Sequence, residues 1–110
     1  MIQVLLADDH KLVRDGLKSV LQQTAEDMLV VGEAANGVEV LSLLETVAAE
    51  VVVMDIDMPQ LNGIEATKLL RERFPQVRVV MLTMAENEQW ARESLQAGAQ
   101  GYVLKSAGHQ

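Results

Sequence analysis

Acidic residues stand directly behind apolar runs in this chain. Asp8-Asp9 follows IQVLLA, Asp55 follows VVVM, and Asp57 comes two positions after Asp55. Thr83 closes VRVVMLT and Lys105 closes GYVLK. Carboxylates drawn to one spot repel, and a divalent cation relieves that conflict. A ligand set of oxygens, without thiol or imidazole, points to Mg²⁺ rather than zinc. Mg²⁺ typically takes one or two carboxylates, keeps waters and leaves room for a phosphate. Phosphoryl transfer needs little beyond positioning and charge neutralisation, and an Asp can itself be the nucleophile. Asp55, central among the candidates, is the expected acceptor. The cation, Lys105 and the Thr83 hydroxyl would neutralise the phosphoryl charge.

These residues need a scaffold that brings distant strand ends together, and the periodicity of the chain supplies one. Apolar runs at Ile2 to Ala7, Met28 to Ala35, Val51 to Asp55, Val77 to Thr83 and Gly101 to Lys105 predict strands. Between them, helical spacing recurs over Lys11 to Gln23 through Val13, Leu17, Val20 and Leu21. It recurs through Val38, Leu41, Leu44 and Val47, and again through Ile64, Thr67, Leu70 and Phe74. A weakly amphipathic helix is expected over Glu86 to Ala97, carried by Trp90, Ala91 and Leu95. Parallel neighbours need a crossover helix, so strands alternating with helices predict βαβ units. VVVM and VVML are apolar without alternation, as expected where helices cover both faces of the sheet. The expected fold is α/β: a doubly wound, five-stranded parallel sheet, flavodoxin-like, with strand order 2-1-3-4-5. In such sheets ligands bind outside the carboxyl ends of the strands, where all the candidate residues collect.

Composition narrows the function classes. The 110 residues carry 49% hydrophobic residues and suit one domain, 1–110, with a single core. No apolar run approaches the roughly 18 residues of a membrane helix, and the N-terminus lacks a signal-peptide pattern. The absence of cysteine removes disulfides and thiolate metal sites and makes a cytoplasmic setting the default. His10 and His109 are too few for a His-based zinc site. A formal charge of -7 sets the chain against nucleic acid and anionic membranes, so a DNA-related role would need another segment.

LLADDH, VVVMDIDMPQLNGIEA, VVMLT and AGAQGYVLK together resemble the receiver domain of two-component response regulators, in the family's order and spacing over the whole chain. ADDHKLVRDGL, VVGEAANG and NGIEATKLLR further resemble the NarL/LuxR subgroup, whose members carry a C-terminal helix-turn-helix output domain. The resemblance implies a phosphorylation-dependent switch with Asp55 as phosphoacceptor. Asp9 would be a direct Mg²⁺ ligand, Asp8 would act mainly through water, and the main-chain carbonyl of Asp57 would complete the protein ligands. Lys105 would contact the phosphoryl group, Thr83 would move toward it, and Tyr102 would follow as an aromatic switch. Asp57 and Ala85 occupy the positions that tune phosphoryl lifetime. The partner implied is a sensor histidine kinase or a small phosphodonor, and the switch acts on itself rather than as an enzyme on separate substrates. The output implied is transcription, through a DNA-binding domain outside this chain.

Three features depart from the common pattern. Ser106 follows Lys105 where many receivers have proline, with Met84 after Thr83 where a smaller residue is frequent, and Gln110 falls five residues after the last expected strand, too soon for a fifth helix. An uncovered sheet face would favour self-association, as would the face built from the fourth helix and fifth strand. The plainer reading of that ending is a trimmed chain.

Plainer roles exist for single residues too. Asp8-Asp9 could cap the first helix, Thr83 could merely suit its strand, and Tyr102 could be ordinary packing. His10 is expected at the surface, His109 in a tail, and Trp90 partly in the core. Two other function classes compete. Asp55-Ile56-Asp57 is also a DxD of the kind used by haloacid-dehalogenase-like phosphatases, although there it opens the chain on the first strand. A degenerate receiver, acting as an interaction module without phosphorylation, would have lost part of the acidic pocket, and nothing is lost here.

Overall fold

Val51–Asp55 is the middle strand of a five-stranded parallel sheet with its neighbours in the order β2-β1-β3-β4-β5. In this computed structural model, residues 1–24, 27–83 and 88–104 are described. The elements are β1 (Ile2–Ala7), α1 (Lys11–Thr24), β2 (Met28–Ala34), α2 (Gly37–Leu44), β3 (Val51–Asp55), α3 (Gly63–Arg73), β4 (Arg78–Thr83), α4 (Glu88–Ala97) and β5 (Gly101–Leu104). The expected class and strand order are therefore those observed.

The central strands are apolar because both of their faces are covered, but unequally. Val52, Met54, Val79 and Met81 alternate into the side that holds the main core and are fully buried there. Val51, Val53 and Val80, pointing the other way, are half-buried. The core side is closed by Val40, Leu41 and Leu44 of α2 and by Ile64, Ala66 and Leu70 of α3.

Local chemistry starts two of these helices. Asn36 and Asn62 are extended N-caps whose side chains accept from the main-chain N–H of Glu39 and Glu65, each at 2.9 Å. Glu39 reaches back to accept from the Ala35 N–H at 2.8 Å, which satisfies a further donor ahead of the helix.

Four apolar residues expected on buried helix faces lie elsewhere. Val20, Val38 and Leu95 are exposed, and Val47 falls beyond the end of α2. In α2 the expected Leu41 and Leu44 are buried together with Gly37 and Val40, and in α4 the buried residues are Ser94 and Ala97. Helical spacing fixes which residues share a face, but in these short helices small residues at close approaches occupy the buried side. Gly37 shows why: an added Cβ would stand 2.6 Å from the Leu61 carbonyl oxygen.

No helix among the described residues is long and apolar enough to cross a membrane.

Candidate functional site

β1 and β3 are adjacent, with Ala7 paired to Met54, so the residues that follow each strand leave the sheet side by side. Asp8 and Asp55 are both buried there, at 1% and 5% exposure, while Asp9 lies further out. The carboxylates of Asp8, Asp9 and Asp55 and the imidazole of His10 each place a donor atom within 4.8 Å of all the others. Two buried acids in such a group form a donor set that suits a small hard cation.

His10 was expected at the surface, and it lies there beside the acidic pair. Its ring is largely exposed, yet Nδ1 stands 3.2 Å from Asp8 Oδ1 and 3.0 Å from Asp9 Oδ1. Its main-chain N–H also donates to Asp8 Oδ1, at 2.8 Å. The sequence did contain a cue, since His10 directly follows the acidic pair.

Arg14 was missed altogether. From the first turns of α1 its guanidinium donates to the Asp8 main-chain carbonyl and, through Nε, to Glu33 of β2 at 3.0 Å. Lys18 adds a second cation to Glu33, at 3.6 Å. Asp8 N–H is in turn bonded to the Ala34 carbonyl at 3.0 Å. The acid therefore sits in a main chain held from both sides, by contacts that no sequence spacing announces.

The loop from β3 to α3 is folded tightly around the end of the strand that carries Asp55. Ile56 N–H bonds to Leu82 O at 3.3 Å, and the Ile56 carbonyl accepts from Met58 N–H at 3.1 Å and from Gly63 N–H at 2.8 Å. Gln60 takes a positive φ of 68° at the turn. Gly37 N–H reaches the Leu61 carbonyl at 2.9 Å, tying the start of α2 to the same loop. Asp57 N–H points back to Asp55 Oδ1 at 3.4 Å, whereas its own carboxylate is exposed and outside the cluster.

Thr83 is buried at the end of β4, one position beyond the Leu82 that pairs with Asp55. Tyr102 lies on β5, paired with Met81, half-buried against the core. Burial pushes its hydroxyl pKa above the ordinary 10.0. Lys105 and Ala85 lie outside the described residues, as do Ser106 and His109.

The response regulator receiver domain family matches residues 4–110. This chain belongs to that family. The receiver is 45% identical over 104 residues to the transcriptional regulatory protein MctR of Rhizobium johnstonii, covering 94% of this chain and 48% of that protein. It is 42% identical over 108 residues to the response regulator GacA of Pseudomonas aeruginosa, covering 98% and 50%. It thus spans about half the length of the curated relatives it matches. Among solved structures, a LuxR-family response regulator from Aurantimonas superposes with a TM-score of 0.91 at 35% identity, over 96% of this chain and 75% of that one. The isolated receiver of RcsB from Salmonella enterica serovar Typhimurium, solved with the phosphomimetic BeF3-, gives 0.89 at 30%, over 97% and 79%. The resemblance and the fold expected from the sequence are both borne out.

Proposed function

We propose that this receiver is a phosphorylation-dependent switch in which Asp55 accepts a phosphoryl group. The convergence of the Asp8, Asp9 and Asp55 carboxylates within 4.8 Å at the carboxyl edge of the sheet carries this reading. It is supported by the RcsB receiver, similar over nearly the whole chain, which was solved with a phosphomimetic. A carboxylate oxygen of Asp55 attacks phosphorus, the new P–O bond forms, and the donor's bond to phosphorus breaks. Where the donor is the phosphohistidine of a sensor kinase, the imidazole leaves with the electron pair of the broken P–N bond.

Mg²⁺ fits this site on the chemistry of its donors, with Asp8, Asp9 and Asp55 and the Asp57 main-chain carbonyl as the residues that would hold it. Its contribution is to neutralise charge as the phosphoryl group arrives. The chain's own part is positional. Strand β3 and the bonds of the following loop hold Asp55 in place, while Arg14 and Ala34 hold the Asp8 main chain. Thr83 and Lys105 are proposed to contact the phosphoryl group, and Tyr102 to follow Thr83. Asp57 and Ala85 are proposed to tune phosphoryl lifetime.

The setting proposed is the cytoplasm. The output is transcriptional, through a DNA-binding domain beyond this chain; the receiver itself acts only on its own phosphoryl group. Homodimers through the α4–β5 face or the less covered sheet face belong to the same proposal.

Incubation with Mg²⁺ and acetyl phosphate, read by intact mass, tests the core of it. The expected result is one added phosphoryl group, lost with EDTA and lost in Asp55→Ala. No gain in a folded wild-type protein would favour an interaction module that is never phosphorylated.

A further inference from the structure

The His10 imidazole faces the acids with one nitrogen. Nδ1 stands 3.0 Å from Asp9 Oδ1 and 3.2 Å from Asp8 Oδ1. One donor atom from each of Asp8, Asp9, His10 and Asp55 lies within 4.8 Å of all the others. In an octahedron with ligands about 2.0–2.1 Å from the centre, neighbouring donors are about 2.8–3.0 Å apart and opposite donors about 4.0–4.2 Å. The two Nδ1 distances are close to the shorter spacing, and the group as a whole extends little beyond the longer one.

The ring is set in place by its main chain. His10 N–H donates to Asp8 Oδ1 at 2.8 Å, and His10 O accepts from Val13 N–H at 3.1 Å and from Arg14 N–H at 3.2 Å. The Asp8 main chain is held in turn by the Arg14 guanidinium and the Ala34 carbonyl. Two side-chain torsions of His10 are then left to fix, a smaller ordering cost than a long flexible side chain carries. A neutral imidazole can keep its proton on either nitrogen. With the proton on Nε2 of this largely exposed ring, Nδ1 offers a lone pair toward the carboxylates.

We propose that His10 is a further side-chain ligand of the cation site, through Nδ1, and opens the pocket to divalent transition ions of the Co²⁺ and Ni²⁺ class. This rests on the reading of Asp8, Asp9 and Asp55 as a cation site. Carboxylate and carbonyl oxygens suit Mg²⁺, whereas imidazole suits Ni²⁺ and its neighbours. The pocket thus has two kinds of occupant: Mg²⁺ held by oxygens alone, and a transition ion held by oxygens and one nitrogen. The metal preference of the site is set by the residue after the acidic pair.

Calorimetry of Ni²⁺ and Mg²⁺ binding to wild type, His10→Ala and Asp9→Ala tests this, beside proton NMR of the Co²⁺-loaded proteins. In His10→Ala the ratio of Ni²⁺ to Mg²⁺ affinity is expected to fall by about tenfold, the lower end of the loss when a metal site is deprived of a supporting residue. Co²⁺-loaded wild type is expected to show a paramagnetically shifted imidazole resonance that His10→Ala lacks. Asp9→Ala is expected to weaken both ions, which places Ni²⁺ in the pocket rather than at His109 or the N-terminal amine. Equal losses for the two ions in His10→Ala, or no loss, overturn the ligand role and leave His10 a hydrogen-bond partner of the acids. Ni²⁺ binding untouched by Asp9→Ala overturns it too. So does the absence of a shifted imidazole resonance in Co²⁺-loaded wild type, a result that needs no variant to fold. Wild type that binds neither Mg²⁺ nor Ni²⁺ overturns the cation-site reading, and the proposal falls with it. Mg²⁺ binding with Ni²⁺ binding independent of His10 overturns the proposal alone.

Discussion

Arg14 of α1 and Glu33 of β2 form an ion pair at 3.0 Å, and the same guanidinium donates to the main-chain carbonyl of Asp8. The pair is mostly buried on the arginine side, at 15% exposure, so it orders the residues around it more firmly than a surface pair does. It connects the helix that follows the acidic pair to the strand beside it.

Arg14→Ala removes both bonds at once. Hydrogen bonds to charged groups contribute about 1.5–3 kcal/mol, and the part-exposed carboxylate lowers the expected loss to about 1–2 kcal/mol. Urea unfolding measures this. Mg²⁺ affinity, by calorimetry, is expected to fall about tenfold, as for other residues that orient metal ligands. An unchanged affinity would show that Asp8 is held without Arg14.

Two glycines give opposite expectations for the same substitution. A Cβ on Gly63 would land on the Asp55 carbonyl oxygen and stand 2.9 Å from Met81 Cε. Gly63→Ala is expected to cost about 1–3 kcal/mol through overpacking and to displace Asp55, the proposed acceptor, lowering phosphoryl uptake. Gly16, inside α1, has nothing within 4 Å of a built Cβ. Gly16→Ala is expected to add about 0.5–1 kcal/mol by helix propensity. Equal denaturation midpoints for the two variants would contradict the geometry.

The only tyrosine offers a pH readout. Burial raises the Tyr102 pKa in the folded protein above the 10.0 of the exposed group. The neutral phenol is thus favoured by folding, and the associated stability is fully present below pH 10. It is lost as pH rises through the higher folded pKa. Absorbance at the phenolate band is expected to titrate above pH 10 in buffer and near 10 in urea. Coincident curves would mean that the ring is solvated.

Metal binding is expected to appear as stability. A cation bound only by the folded state at one hundred times its dissociation constant adds about 2.7 kcal/mol, so Mg²⁺ should raise the melting temperature and EDTA should reverse the rise. Asp9→Ala removes one of the mutually repelling carboxylates. That variant should melt no lower than wild type without metal and gain little when Mg²⁺ is added. A full shift in the variant would exclude Asp9 as a ligand.

Much of the molecule was legible in the sequence because it is built from local rules. β1 and β3 begin and end where their apolar runs do, and Asn36 and Asn62 open α2 and α3 by capping chemistry that acts over three residues. The acids after β1 and β3 were legible as a site because a parallel sheet sends strand ends to one edge. Burial of single helix positions was less legible. Leu95 and Val20 are exposed although their spacing is helical, since which arc of a helix is buried depends on the neighbour it meets.

The sequence by itself determined the order of strands and helices, the edge at which Asp8, Asp9, Asp55 and Thr83 collect, and the family to which those motifs belong. Periodicity and turn chemistry act within a few residues and suffice for that. Only the tertiary structure decided that His10 stands beside the acid cluster and that Arg14 reaches Glu33 and Asp8. Each of these depends on the direction of one side chain across a gap between elements. That direction is set by how helix and strand meet in space, which no spacing along the chain encodes.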